Sequence, residues 1–68
     1  MTRRSVIGVR RRGRTAVVVG HDALMVLNYG NIRYRRDRHG WAIPIEAVPD
    51  VEAAAQVLGV IVSLGMPS

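Results

Sequence analysis

The sequence predicts an α+β domain: a small antiparallel sheet of about four strands, in two hairpins, packed against one C-terminal helix, with residues 22–29 open to a second short helix. Three observations predict it. Two β-branched-rich runs flank the turn "RRGR", residues 11–14. Residues 32–45 alternate in polarity about "DRHG". From Pro49 onward the polar residues recur at helical spacing.

The first hairpin comprises residues 5–10 and 15–19, and Gly13 supplies the positive φ that its turn needs. Arg3 and Arg4 lie at its open end, and Arg10, Arg11, Arg12 and Arg14 at or near its tip. In "HDALMVLNYGN", residues 21–31, Asp22 suits the cap of a helix over 23–29 that stops at Gly30. The five apolar residues 23–27 also fit a buried strand with 28–31 as its turn. Alanine, leucine and methionine favour the helix, and in either form the segment is core.

With Asp37, Arg38, His39 and Gly40 as its loop, the second hairpin sets Arg36 opposite Trp41, Tyr34 opposite Ile43 and Ile32 opposite Ile45. Those pairs share one face, while Arg33 and Arg35 share the other with Pro44 and Ala42. A one-residue slip would scatter apolar and charged residues over both faces, which fixes the register. Trp41 is expected in the core with a cation–π contact to Arg36. Pro44 has no amide hydrogen, so its strand is expected at a sheet edge.

Pro49 and Asp50 suit a helix start, and Glu52, Gln56, Gly59 and Ser63 form one narrow polar stripe. The stripe favours one long helix through Leu64 that is buried nearly all round. The rival is a shorter helix ending at Gly59, followed by the strand "VIVSL". On the long helix, Val57, Leu58, Ile61 and Leu64 form an apolar arc that one sheet cannot cover, so they are the expected interface of a homodimer.

The 68 residues, 1–68, make a single small domain, and a chain this short buries only about 60% of the surface its unfolded form exposes. With no cysteine there is neither a disulfide framework nor a thiolate metal site, and self-association is the supplement left. The two histidines and scattered carboxylates make no zinc site, and no spaced glycine cluster with a lysine cradles phosphate, so no metal or cofactor is expected. The basic N-terminus lacks a signal-peptide pattern and the longest apolar tract is too short to span a bilayer, which with the missing cysteines leads to a cytoplasmic expectation.

Catalysis has thin support. A ribonuclease-like set of Tyr34, Arg35, Arg36 and His39 has no diagnostic spacing, and no nucleophile has a recognisable setting, so the protein is expected not to be an enzyme. The net charge is +5 and all ten basic residues are arginine. A GC-rich coding bias would produce this, and so would selection for planar donors that match phosphate and guanine edges. The leading expectation is binding of nucleic acid, duplex DNA in particular, through backbone and minor-groove contacts from Arg3, Arg4, Arg10, Arg11, Arg12, Arg14, Arg33, Arg35, Arg38 and His39. The alternative is a small regulator or inhibitor, of the kind phages and mobile elements encode, that docks its arginine face on an acidic protein surface.

The stretch "RYRRDRHGWAIPIEAV", residues 33–48, resembles the wing and following segment of excisionase-type winged-helix proteins. That resemblance implies phosphate contact for Arg35, Arg36, Arg38 and His39. It covers 16 of the 68 residues, and upstream, where the family has a helix-turn-helix, this sequence reads as two strands and at most one short helix.

Overall fold

In the computed structural model, which describes residues 5–64, the first hairpin joins β1 (Val6–Arg12) to β2 (Thr15–Val19). Its turn is Gly13–Arg14, with Gly13 at φ +62°, the glycine-first arrangement that matches the twist of paired strands. Thr15 Oγ1 donates 3.0 Å to the Arg12 carbonyl across that turn. Arg3 and Arg4 lie outside the described residues.

The second segment is the short helix α1 (Ala23–Tyr29). Asp22 occupies the cap position but makes no side-chain cap hydrogen bond, and the left-handed residue at the far end is Asn31, φ +53°, rather than Gly30. The amide of Ile32 donates to Leu27 O at 2.9 Å and that of Asn31 to Asn28 O at 3.2 Å, so two otherwise unpaired carbonyls are satisfied and Ile32 folds back onto Leu27.

Strands β3 (Arg35–Asp37) and β4 (Gly40–Pro44) form the second hairpin in the expected register, Arg36 opposite Trp41 and Arg35 opposite Ala42. The loop is tighter than expected: Asp37 pairs with Gly40, leaving Arg38 and His39 as the turn. Ile32 and Tyr34 precede the strand. A 3-10 turn, Ile45–Ala47, leads into α2 (Val48–Leu58), which has Pro49 in its first turn and Asp50 near its positive end.

Two expectations are corrected here. The long helix does not form: α2 stops at Leu58, Gly59 turns left-handed at φ +73°, and β5 (Ile61–Leu64) follows. The Val60 amide donates to Ala55 O at 2.8 Å and the Gly59 amide to Gln56 O at 3.2 Å, the same ending that closes α1. Glycine at that site, with the β-branched run behind it, outweighs the helical spacing of the polar residues. Only Glu52 and Gln56 of the stripe lie on the helix, both exposed; Val57, expected buried, is 67% exposed.

The second correction concerns Pro44. The five-stranded sheet runs β3-β4-β2-β1-β5, which places β4 inside it. The Ile45 amide donates to Arg14 O at 3.0 Å, so Thr15 and Pro44 are a non-hydrogen-bonded pair. The nitrogen of Pro44 therefore points to the β3 side, and β3 begins only opposite Ala42. Every ladder bond of β4 is preserved.

All neighbouring strands are antiparallel except β1 and β5, which are parallel. Each helix crosses between parallel strands, α1 from β2 to β3 and α2 from β4 to β5, and both pack on one face. That face supplies Ile7, Val9, Ala16, Val18 and Ile43 to a core closed by Val26, Leu27, Val48, Val51 and Ala55. Among the described residues no helix covers the opposite face.

Candidate nucleic-acid interface

Alternation along β1 decides which arginines face together. Ile7 and Val9 point into the core, so Gly8, Arg10 and Arg12 point to the uncovered face, whereas Arg11 shares the helix side with its partner Ala16. On β3, Arg35 lies on the uncovered face opposite Ala42, and Arg36 lies on the helix side opposite Trp41. Between the arginines the face carries Thr15, Val17, Ala42 and Pro44, all short. Val17, paired with Arg10, is only 6% exposed although it lies on this face.

Two open hollows flank this row. One, about 590 Å³, is lined by Gly8, Arg10, Arg12, Val17, Val19 and Ser63, and by His39 from the second hairpin's turn. The other, about 440 Å³, brings Arg14 of the first turn to Arg33, Arg35, Arg36 and Pro44. Asp37 lines it too, and its Oδ2 is buried without a hydrogen-bond partner. Arg38 is exposed at the tip of the second hairpin. Arg10, Arg12, Arg14, Arg33, Arg35 and His39 are thus assembled along one side of the sheet, while Arg11 faces away.

Charge separates by layer. Every described arginine is on a strand, in a hairpin turn or in the segment entering β3, and none is on a helix. Four of the five carboxylates belong to the helical layer: Asp22 before α1, Glu46 in the 3-10 turn, and Asp50 and Glu52 in α2. Arg11 and Arg36 project to the helix side, so the charge bias toward the uncovered face rests on Arg10, Arg12 and Arg35.

The aromatic rings are occupied elsewhere. Tyr34 and Trp41 stack edge to face with centroids 5.3 Å apart. The Tyr34 hydroxyl is 3.2 Å from Asn28 Oδ1 of α1, and the Arg36 guanidinium lies 6.0 Å from the Trp41 ring, the expected cation–π partner. Trp41 is half-buried rather than fully buried.

Among the described residues no cluster of three or more histidine or acidic side chains could hold a metal ion, and no helix is long and apolar enough to cross a membrane. No family model, curated protein or solved structure matches this chain. What the site can do thus follows from its geometry and charge.

The expected dimer residues do not form one helical arc. Val57 is on α2, Leu58 is half-buried against the core, and Ile61 and Leu64 are on β5, 42% and 51% exposed. Sequence reading missed that Gly8 and Ser63 line the hollow beside Arg10. The alternation of Ile7 and Val9 was a signal for Gly8, but Ser63 arrives only through the parallel pairing of β5 with β1.

Proposed function

We propose that this protein is a non-enzymatic binder of duplex DNA, with an accessory or regulatory role, and that it lays the uncovered sheet face on the phosphate backbone. The supporting observation is the gathering of Arg10, Arg12 and Arg35 on that face, with Arg14, Arg33 and His39 at its hollows, while the helical layer opposite carries carboxylates. An anionic duplex is attracted more strongly to the face where these arginines gather than to the side that carries the carboxylates, which biases its orientation before contact. The short side chains between the arginines let a phosphate backbone come close, and the guanidinium forks match phosphate oxygens.

The paired strand residues of this face include no tyrosine or tryptophan, and Tyr34, which borders the second hollow, is stacked on Trp41, which favours a duplex over a single strand. Contacts of this kind position a protein on DNA and read shape rather than sequence.

The test is a salt series of fluorescence anisotropy on a random-sequence duplex. Binding should weaken linearly in log–log form, and Arg10→Ala with Arg12→Ala and Arg35→Ala should lower the slope by about 1 for each phosphate-binding arginine removed. Arg11→Ala, on the other face, should leave the slope unchanged. Absence of duplex binding at low salt would transfer the arginine face to an acidic protein surface, the second partner class that its charge fits.

A further inference from the structure

The two free edges of the sheet differ in kind. β3 has three residues, two of them arginine, and antiparallel pairing of this edge with a copy of itself would set like charges close together. β5 has four residues, Ile61, Val62, Ser63 and Leu64, with no charge and no proline. Edges are ordinarily blunted by shortness, charge or proline, and β5, though short, has neither charge nor proline. Next to it on the uncovered face stands Val6, 53% exposed, paired with Ile61.

The hydrogen-bond pattern shows which groups of β5 are free. The Ile61 amide donates to Ser5 O at 2.8 Å, in parallel register with Val6 opposite Ile61. In a parallel ladder a residue turns both its amide and its carbonyl to the same neighbour, and successive residues alternate. Ile61 and Ser63 are therefore committed to β1, and Val62 and Leu64 direct both backbone groups to the open edge. Val60 cannot extend that row, because its amide is bound to Ala55 O at 2.8 Å.

We propose that the β5 edge docks a second copy of this chain, antiparallel, with Ser63 on the two-fold axis. Val62 of each copy then pairs with Leu64 of the other, and these residues exchange four backbone hydrogen bonds using only groups that no other described residue binds. The alternative centred on Val62 would need the committed Val60 amide opposite Leu64. A copy carrying +5 is repelled by the arginine-bearing hairpins and can approach closely along an uncharged edge. The axis is perpendicular to the sheet, so the uncovered faces of both copies lie on the same side, and Ile61 and Leu64 become less exposed to solvent. The inference stands on the β5 edge alone and does not depend on DNA binding.

The chain has no cysteine, so single thiols report the register directly. Ser63 would face its own copy as a non-hydrogen-bonded pair with Cα atoms about 4.5 Å apart, within the roughly 4.4–6.8 Å that a disulfide spans. Oxidised Ser63→Cys should give a covalent dimer on a non-reducing gel. Ile61→Cys should not, since the two copies of residue 61 would be about 13 Å apart along the strands.

Sedimentation of the unaltered protein at roughly 0.5 mM, which saturates an interface of micromolar affinity, should show a dimer. Leu64→Pro, which removes an outward amide and no bond to β1, should sediment as a monomer with its dilute-solution melt preserved. Cross-linking through Val62→Cys in place of Ser63→Cys would overturn the register. A monomer at that concentration, or a dimer that persists in Leu64→Pro, would overturn the edge pairing.

Discussion

Gly40→Ala probes the centre of the sheet. Gly40 opens β4, and a methyl group built on it would lie 2.4 Å from the Val18 carbonyl oxygen and 2.7 Å from Val19 Cγ1. Carbon and oxygen on adjacent strands ordinarily approach to about 3.3–3.6 Å, so β4 and β2 would have to part by about 1 Å. Val19 is exposed enough to rotate away, but the Val18 oxygen is backbone of a central strand whose side chain is fully buried. Overpacking of this kind costs about 1–3 kcal/mol, and a backbone collision belongs at the upper end.

A chain of this size has a total stability of roughly 3–10 kcal/mol, and each kcal/mol lowers Tm by about 4–8 °C. Gly40→Ala should therefore lower the midpoint of a circular-dichroism melt by roughly 12–24 °C. Gly8→Ala is the control. Its methyl meets only Val19 Cγ2, at 3.0 Å, a side chain that can turn toward solvent, and the expected change is within about 1 kcal/mol. If the two variants melted alike, the pairing of β4 with β2 around Val18 would be wrong.

Gly59→Val should cost about 1–2 kcal/mol from its left-handed backbone alone, since no atom lies within 4 Å of the added Cβ, and Gly59→Asn should recover most of that stability in the same melt. Trp41→Ala removes a half-buried ring stacked on Tyr34 and should cost about 2–4 kcal/mol, while Arg35→Ala should leave the denaturant midpoint nearly unchanged; equal effects would refute the assignment of faces. Asp37→Asn replaces the one carboxylate on the strands, whose Oδ2 lacks a partner, and should leave stability unchanged or raise it by up to about 1 kcal/mol; a clear loss would mean that the carboxylate is engaged.

The parts of this fold legible in the sequence are those fixed by local pattern. The register of Arg36 against Trp41 follows from polarity alternation alone, because any slip would bury an arginine opposite an isoleucine. The start of α2 follows from Pro49 and Asp50 in the same way. Its end is obscured because Gly59 falls in helical step with Glu52 and Gln56, and spacing does not record that glycine is also the residue best able to turn left-handed. Pro44 misleads because a missing amide hydrogen excludes pairing on one side of a strand only, and that side lies past the end of β3.

Long-range pairing is the least legible. Nothing local joins Val6 to Ile61, yet that parallel pair creates the fifth strand, the uncharged edge and one wall of the hollow beside Arg10. The candidate site is legible as a set of arginines but not as a surface. The division of Arg10 and Arg12 from Arg11 needs the alternation of β1, and the distance between Arg14 and Arg33 in the chain closes only when β4 lies beside β2.

The most direct test of the central claim is a titration of isotope-labelled protein with a short duplex, followed by backbone amide NMR shifts. Shifts concentrated at Gly8, Arg10, Arg12, Val17, Arg35 and His39, reversed by added salt, are the expected result. Shifts concentrated instead on the helical layer, at Met25, Tyr29 and Val57, or no shifts at all at low salt, would contradict it.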